Sequence, residues 1–157
     1  MEVIIRDLRV EDAEVSWKWR NDPEVWKNTK ISWTDYVTKE VEEAWIKDVI
    51  SRKDEKRFAI CVVEAGIQKY VGNACLNNIT QDDAEYHIFI GNKEYWNKGV
   101  GQKTQQLVDE YARNVLHLKR LYAWVKIINK ASLAVLAKNN WTYIKEQDGY
   151  AYVKIDL

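Results

Sequence analysis

Glu85 and His87 stand two residues apart in the run Ala84-Glu85-Tyr86-His87-Ile88-Phe89-Ile90, whose Ile-Phe-Ile core is β-prone. In a strand, that spacing puts both side chains on one face of the sheet. A carboxylate and an imidazole are the groups of general acid–base chemistry, and either can take a proton from an attacking nucleophile. Imidazole has a suitable pKa by nature, and a carboxylate gains one if apolar neighbours raise it. A solvated strand-end Glu85 and a packed His87 are the plainer alternatives, and both stay open at this point. His117, further on, reads as a cation at the end of a helix.

Just downstream the chain runs Trp96-Asn97-Lys98-Gly99-Val100-Gly101-Gln102. From Gly99 onward Val100, Leu107, Val108, Tyr111, Ala112, Val115 and Leu116 share one helical face. A strand, a glycine turn and a helix N-terminus together make an anion site. The first helical N–H groups have no internal partner, the helix dipole is positive there, and glycine lets a phosphate approach the backbone. The expectation is a diphosphate-binding turn, with Lys98 and Lys103 adding charge; a tight turn alone is the alternative. The spacing is not that of a P-loop. Thr104 stands where the dinucleotide fingerprint needs its third glycine.

The elements that must position these groups can be read from composition and periodicity. A chain of 157 residues, 46% apolar, predicts a single domain spanning 1–157. Lys plus Arg and Asp plus Glu are 24 each, so no strong field favours nucleic acid or an anionic membrane. No apolar run is long enough to span a bilayer, and the start lacks the form of a signal peptide. A cytoplasmic protein is expected, with Cys61 and Cys75 as buried free thiols. Two Cys and two His without close pairing argue against a metal site.

In chain order, Val3 to Arg9 reads as a strand. A helix follows to Arg20, carrying Ala13, Val15, Trp17 and Trp19, and Asn21-Asp22-Pro23 breaks it. Asp22 can cap a short helix that holds Trp26, with Pro23 at its first position. Residues 28–33 read as irregular. A long helix is expected from Thr34 to Arg52, with Val37, Val41, Ala44, Trp45, Ile46 and Val49 inward and Lys39, Glu40, Glu42, Glu43 and Lys47 in water. Arg57 to Val63 and Tyr70 to Leu76 form a hairpin about Gly66, antiparallel to the strand of Glu85. Leu121 to Val125 should lie parallel to that strand, since a helix joins the two. A helix over 129–140 ends at Asn140 in a left-handed conformation. Trp141 to Ile144 and Tyr150 to Ile155 form a last hairpin about Asp148-Gly149. A C-terminal edge strand offers a surface for a second copy, so monomer and homodimer both stay open. The class is α/β: a mixed, mostly antiparallel central sheet with a splayed parallel pair and helices on both faces.

The Tyr-Trp-Asn-Lys-Gly-Val-Gly loop and the later Asn-Lys-Ala-Ser-x-x-x-x-x-Lys-x-Asn-Trp resemble the GNAT superfamily of acyl-CoA-dependent N-acyltransferases. The resemblance covers nearly the whole chain. Trp-Lys-Trp-Arg-Asn-Asp-Pro is similar to the branch of ribosomal-protein N-terminal and sugar-amine acetyltransferases. In the family loop, Gln/Arg-x-x-Gly-x-Gly/Ala, Trp96 takes the first position and Gly99 and Gly101 the others. In the second signature Asn129, Ser132 and Lys138 match, while Leu136, Asn140 and Trp141 differ. The resemblance implies acetyl-CoA as co-substrate and no metal. Its pyrophosphate would lie on Lys98, Gly99, Val100, Gly101 and Gln102, and its pantetheine along the backbone of Ile88, Phe89 and Ile90. It implies Glu85 as base, with His87 as rival. Leu136 replaces the tyrosine that protonates the leaving thiolate, leaving Ser132, Tyr143 or water to serve. The acceptor is implied to be a primary amine on a protein N-terminus, sugar nucleotide or small molecule. It would meet Arg20, Asn21 and Trp26, with Trp17, Trp19 and Trp33 as further aromatic wall or as core. An acyl-CoA-binding or sensor module without catalysis is the competing reading.

Overall fold

The structure, a computed structural model, describes residues 1–27, 29 and 35–157. Trp33 and the expected helix start at Thr34 lie outside the described residues, as does most of the piece read as irregular over 28–33.

Among the described residues, seven strands make one sheet: β1 (Glu2–Asp7), β2 (Lys56–Glu64), β3 (Ile67–Asn77), β4 (Asp83–Ile90), β5 (Arg120–Lys126), β6 (Thr142–Gln147) and β7 (Tyr150–Asp156). Their order is β1-β2-β3-β4-β5-β7-β6. The β2–β3 turn is Ala65-Gly66, with φ of 49° and 76°, and the β6–β7 turn is Asp148-Gly149, with φ of 52° and 83°. Two positive φ values in a two-residue loop match the twist of the flanking strands. The C-terminal strand β7 lies between β5 and β6, so the edge on that side is β6; the expected C-terminal edge is corrected. It is β7 that pairs with β5, antiparallel from Arg120–Asp156 to Lys126–Tyr150.

Five helices cover the sheet: α1 (Ala13–Arg20), α2 (Pro23–Trp26), α3 (Lys39–Ser51), α4 (Val100–Asn114) and α5 (Lys130–Lys138), counted among the described residues. Alternate residues of β2 show why there are two layers. Phe58, Ile60 and Val62 pack in one cluster with Val108 and Ala112 of α4, and Ala59 and Cys61 pack in another with Ile46 of α3. This is the two-residue period of a strand covered on both faces. Cys61 and Cys75 are free and buried.

Two helix readings need correction. Residues 35–38 are not helical, and α3 begins where Thr38 accepts the Val41 N–H through its hydroxyl at 3.2 Å. Its inward face holds Glu42, Ile46 and Val49, while Val41 is exposed. Glu42 was placed in water. It is buried because Arg20 of α1 donates Nε to both of its carboxylate oxygens, at 3.2 and 3.0 Å. In α4 the helix ends at Asn114 and Val115 is exposed, while Thr104, Gln105 and Asp109 turn inward beside Val108 and Ala112.

What matters for the site is where β4 and β5 part. The two are parallel, as a helical crossover requires. They pair only at Asp83–Arg120, Ala84–Leu121 and Glu85–Tyr122. From Tyr86 onward β4 continues to pair with β3, up to Ile90 opposite Gly72. Its other edge is open to a cleft.

Candidate active site

At the last paired position, Glu85 Oε2 lies 2.9 Å from His87 Nε2, on the shared face expected from their spacing. Glu85 is 8% exposed and also receives the Asn78 amide at 3.5 Å. His87 is half-buried and lines a cavity of about 310 Å3. An imidazole that donates Nε2–H to a carboxylate leaves Nδ1 as an acceptor, so the carboxylate sets the tautomer. The two rival bases therefore form one dyad, with Glu85 beneath and His87 toward the cavity.

That cavity is walled by Trp26, Trp45 and Phe89, with Arg20, Arg57 and Asn73 among its polar groups. The Arg20 carbon is 4.8 Å from the Trp26 ring centroid and 4.3 Å from that of Trp45, a cation stacked between aromatic faces. Burial pulls this guanidinium down from its ordinary value and Glu42 pushes it up. Arg57 gives Nε and Nη2 to Glu55 at 3.1 and 2.9 Å. Among the described residues that line the cavity there is no carboxylate. Cys75 also lines it, and burial raises its thiol to about 11, so it is not a thiolate at neutral pH.

The expected acceptor residues separate. Trp26 lines the cavity, its indole N–H held by the Trp19 carbonyl at 2.8 Å. Arg20 lines it too, fixed by Glu42. Asn21 is not among the residues that line it. Its amide donates to the carbonyls of Trp17 and Val37, at 3.0 and 2.7 Å, and accepts the Val37 N–H at 2.8 Å. It clamps the chain before α3 to the end of α1. Asp22 caps α2 by accepting the Glu24 N–H at 3.1 Å, and its other oxygen meets Lys93 at 2.8 Å. Trp17 is half-buried; Trp19 is buried against Tyr70 and Phe89.

A second, larger groove of about 840 Å3 runs along the open edge of β4. Ile88, Phe89 and Ile90 line it on one side, Trp96, Gly99, Val100, Gly101 and Gln102 at its head, and Asn129, Ser132 and Lys138 of the second signature opposite. Gly99 caps α4 with φ of 81°, a left-handed conformation that favours glycine, and the first turn of α4 has no acidic residue. Trp96 ties the loop to the strand by donating its indole N–H to the Ile90 carbonyl at 2.8 Å. Asn129 caps α5, accepting the Ser132 N–H at 3.2 Å. Lys98 is absent from the groove lining; it is exposed, its ammonium 5.7 Å from the Tyr95 ring centroid. Groove and cavity share Thr29, Ile88 and Phe89, so they meet at one stretch of β4, next to His87.

Leu136 is buried in the core and lines the groove. Tyr143 is exposed on β6, and His117 is exposed with φ of 56°, three residues beyond α4. Several groups escaped the sequence reading. Asn139 locks α5 to α4, donating to the Gln102 carbonyl at 3.0 Å and Gln105 Oε1 at 3.1 Å. Tyr86 and Gln105 line the groove, and Asp109 is buried behind them. Only the inward phase of Tyr86, opposite to Glu85 and His87, signalled its placement.

The chain thus combines a mixed sheet with one splayed parallel pair, a glycine-opened helix at the cleft head and a carboxylate–imidazole pair at the fork. A family model described as an acetyltransferase (GNAT) domain matches residues 2–142, and the chain belongs to that family. An uncharacterised N-acetyltransferase, p20, of Bacillus licheniformis is 30% identical over 145 residues, covering 90% of this chain and 79% of that one. The crystal structure of Campylobacter jejuni N-acetyltransferase PseH in complex with acetyl coenzyme A superposes with a TM-score of 0.74 at 22% identity, covering 99% of each chain. Spermidine N-acetyltransferase from Vibrio cholerae, in complex with CoA and spermine, gives 0.85 at 16%, covering 98% of this chain and 95% of that one. These two likenesses bear on the fold, which is the expected one. No helix among the described residues is long and apolar enough to cross a membrane.

Proposed function

We propose that this chain transfers an acetyl group from acetyl-CoA to a primary amine by direct attack of the amine on the thioester. The observation that carries the reading is the meeting of two cavities at Ile88 and Phe89, with His87 and Glu85 beside the junction. Donor and acceptor can enter from opposite sides of β4 and meet there.

The groove suits the donor. The first turn of α4 presents N–H groups to its head, where a pyrophosphate would sit. Gly101 supports this. Its φ is not positive, and a Cβ built on it meets nothing within 4 Å. Neither backbone nor packing demands glycine there, and a helical glycine costs about 1 kcal/mol relative to alanine. Space kept for a ligand accounts for it. The open edge of Tyr86 to Ile90 would supply strand-like hydrogen bonding for the pantetheine amides, and a backbone N–H of that edge is the proposed donor to the developing oxyanion.

The dyad suits the acceptor. An alkylamine with a pKa near 10 is mostly charged at neutral pH and must lose a proton before it attacks. His87 Nδ1 takes that proton, and Glu85 holds the ring and stabilises the imidazolium. Cys75, held as a thiol, is no nucleophile for a covalent relay, which favours direct transfer.

The acceptor cavity has aromatic walls, two guanidinium groups and no lining carboxylate among the described residues. That chemistry favours an amine on a ring or a peptide end, such as a sugar amine or protein N-terminus, over a polyamine, whose several charges need carboxylates. The test is thiol release from acetyl-CoA with amino sugars, N-terminal peptides and spermidine as acceptors. Turnover with one of the first two classes supports the reading. Preferential turnover of spermidine overturns the acceptor class, and no turnover with any amine supports a binding module instead.

A further inference from the structure

The face of the sheet that carries Glu85 and His87 continues past the fork. Glu85 pairs with Tyr122 of β5, Trp124 of β5 with Tyr152 of β7, and Tyr152 with Lys145 of β6. Directly paired residues point to one side of a sheet, so Tyr122, Trp124, Tyr152 and Lys145 share the face of the dyad. Counting on from the last pair of β4 and β5, Trp124 is the residue across the fork from His87. On the opposite face Leu121, Ala123, Ala151 and Val153 are buried in the core, whereas Tyr122, Trp124 and Tyr152 are only half-buried. The uncovered side of an antiparallel sheet ordinarily carries polar residues. Here it carries a shelf of aromatic rings, the centroids of Tyr122 and Trp124 lying 5.9 and 4.9 Å from that of Tyr152. The shelf lies outside the linings of both cavities.

Charge is sorted along this face. Asp83, Glu85 and Asp156 stand at one end, where Asp156 takes Lys154 at 3.1 Å and Arg120 at 3.5 Å. Lys126 and Lys145 stand at the other, and neither forms an ion pair among the described residues. The Lys145 ammonium instead lies over Trp124 and Tyr152, 5.6 and 6.0 Å from their ring centroids. Two rings thus hold an exposed ammonium in one place. A lysine on an edge strand such as β6 deters pairing with other chains, but Lys126 is on the interior strand β5, where that reason fails. Cross-strand packing accounts for Trp124 beside Tyr152 and leaves the two cations unexplained.

We propose that Lys145, together with Lys126, binds an anionic group on the same acceptor molecule whose amine meets His87. The class of acceptor follows, resting on the acetyl-transfer reading: an amine joined to a phosphate or carboxylate, with the body between them lying across Trp124 and Tyr152. The two ends of the face suit the two ends of such a molecule. Its amine goes toward Glu85 and His87 and its anion toward the lysines, and the reverse orientation meets like charge at both ends. The rings take the apolar C–H side of the part between. Lys145 touches no reacting atom, so it is a positioning residue whose effect falls on acceptor binding.

Lys145 is exposed, so removing its charge leaves the fold intact. The test is calorimetric binding to the full chain with CoA present, which needs no turnover. Two matched pairs of amines are the probes: glucosamine against glucosamine 6-phosphate, and alanyl-glutamine against alanyl-glutamate. In the wild type the anionic member of at least one pair should bind about fivefold tighter. The preference should vanish in Lys145→Gln and reverse in Lys145→Glu. The pair that shows it tells phosphate from carboxylate. In thiol release the same preference should appear in KM for the acceptor, with kcat within about threefold. Equal affinity within both pairs, or no binding of any of the four, overturns the proposal, as does a preference that survives both substitutions. A preference that follows Lys145 in a protein that releases no thiol keeps the anion site and discards acetyl transfer. Loss of a dimer in sedimentation of Lys145→Gln, with these affinities unchanged, makes the shelf an interface between copies and also overturns it.

Discussion

Replacing Gly101 with alanine should move stability and cofactor affinity in opposite directions. The residue is the second of α4, its φ is not in the left-handed range, and an added Cβ finds open space. Alanine is the better helix former by about 1 kcal/mol in a helix interior, and less in the first turn. A gain of about 0.5–1 kcal/mol is therefore expected, which for a chain of this size raises Tm by about 2–4 °C per kcal/mol. The same methyl enters the space assigned to the pyrophosphate. A tenfold loss of affinity corresponds to about 1.4 kcal/mol. At acetyl-CoA one hundred times its wild-type Kd, ligand stabilisation is about 2.7 kcal/mol and would fall to about 1.4 kcal/mol in the variant. Thermal melts with and without acetyl-CoA read both quantities at once. A variant that melts higher without ligand yet keeps its full ligand-induced shift would refute the assignment of this loop. Gly99→Ala is the contrast: with φ of 81° it should lose stability as well as affinity.

Two further outcomes follow from buried charges. Glu42→Ala leaves the Arg20 guanidinium buried without its carboxylate, and should cost about 3–5 kcal/mol in urea denaturation. A loss within about 1 kcal/mol would mean that the pair is not the clamp between α1 and α3. Asp109 has a folded-state value raised to about 7 from 3.8 by burial. The folded state therefore holds more protons than the unfolded one between those values, and the contribution of Asp109 is full below about pH 4 and lost as pH rises through about 7. Asp109→Asn should be more stable than the wild type at about pH 8, by a few kcal/mol at most, and similar to it at about pH 4. Parallel curves for the two proteins across that range would contradict the burial argument.

The parts of this molecule that are local in sequence were legible from it. Alternation marks β2, and Ala65-Gly66 and Asp148-Gly149 mark hairpins whose positive φ values are observed. The strand–glycine–helix order placed the loop at Gly99, and a two-residue spacing put Glu85 and His87 together. What was not legible depends on partners distant in the chain. Glu42 looks like a wet-face carboxylate until Arg20, 22 residues earlier, is seen beside it. Asn21 looks like a free polar group at a helix break, yet its bonds to Val37 close a segment whose path no local rule gives. Reading α4 by its apolar residues alone hid Gln105 and Asp109, because polar side chains on an inward face carry no periodic apolar signal. Tyr86 was hidden for the complementary reason: an aromatic residue in a strand reads as core, and only in three dimensions is its hydroxyl seen to be buried, with no hydrogen-bond partner among the described residues.

The most direct test of the central claim is the rate of thiol release from acetyl-CoA with the best amine of the panel, compared among the wild type, His87→Ala and Glu85→Gln. The account predicts that His87→Ala loses about 100-fold or more in kcat while keeping the acetyl-CoA thermal shift. Glu85→Gln should lose less, because a glutamine can still accept the Nε2–H and hold the tautomer. Undiminished turnover in His87→Ala, or a larger loss in Glu85→Gln than in His87→Ala, would contradict the assignment of His87 as the group that takes the amine proton.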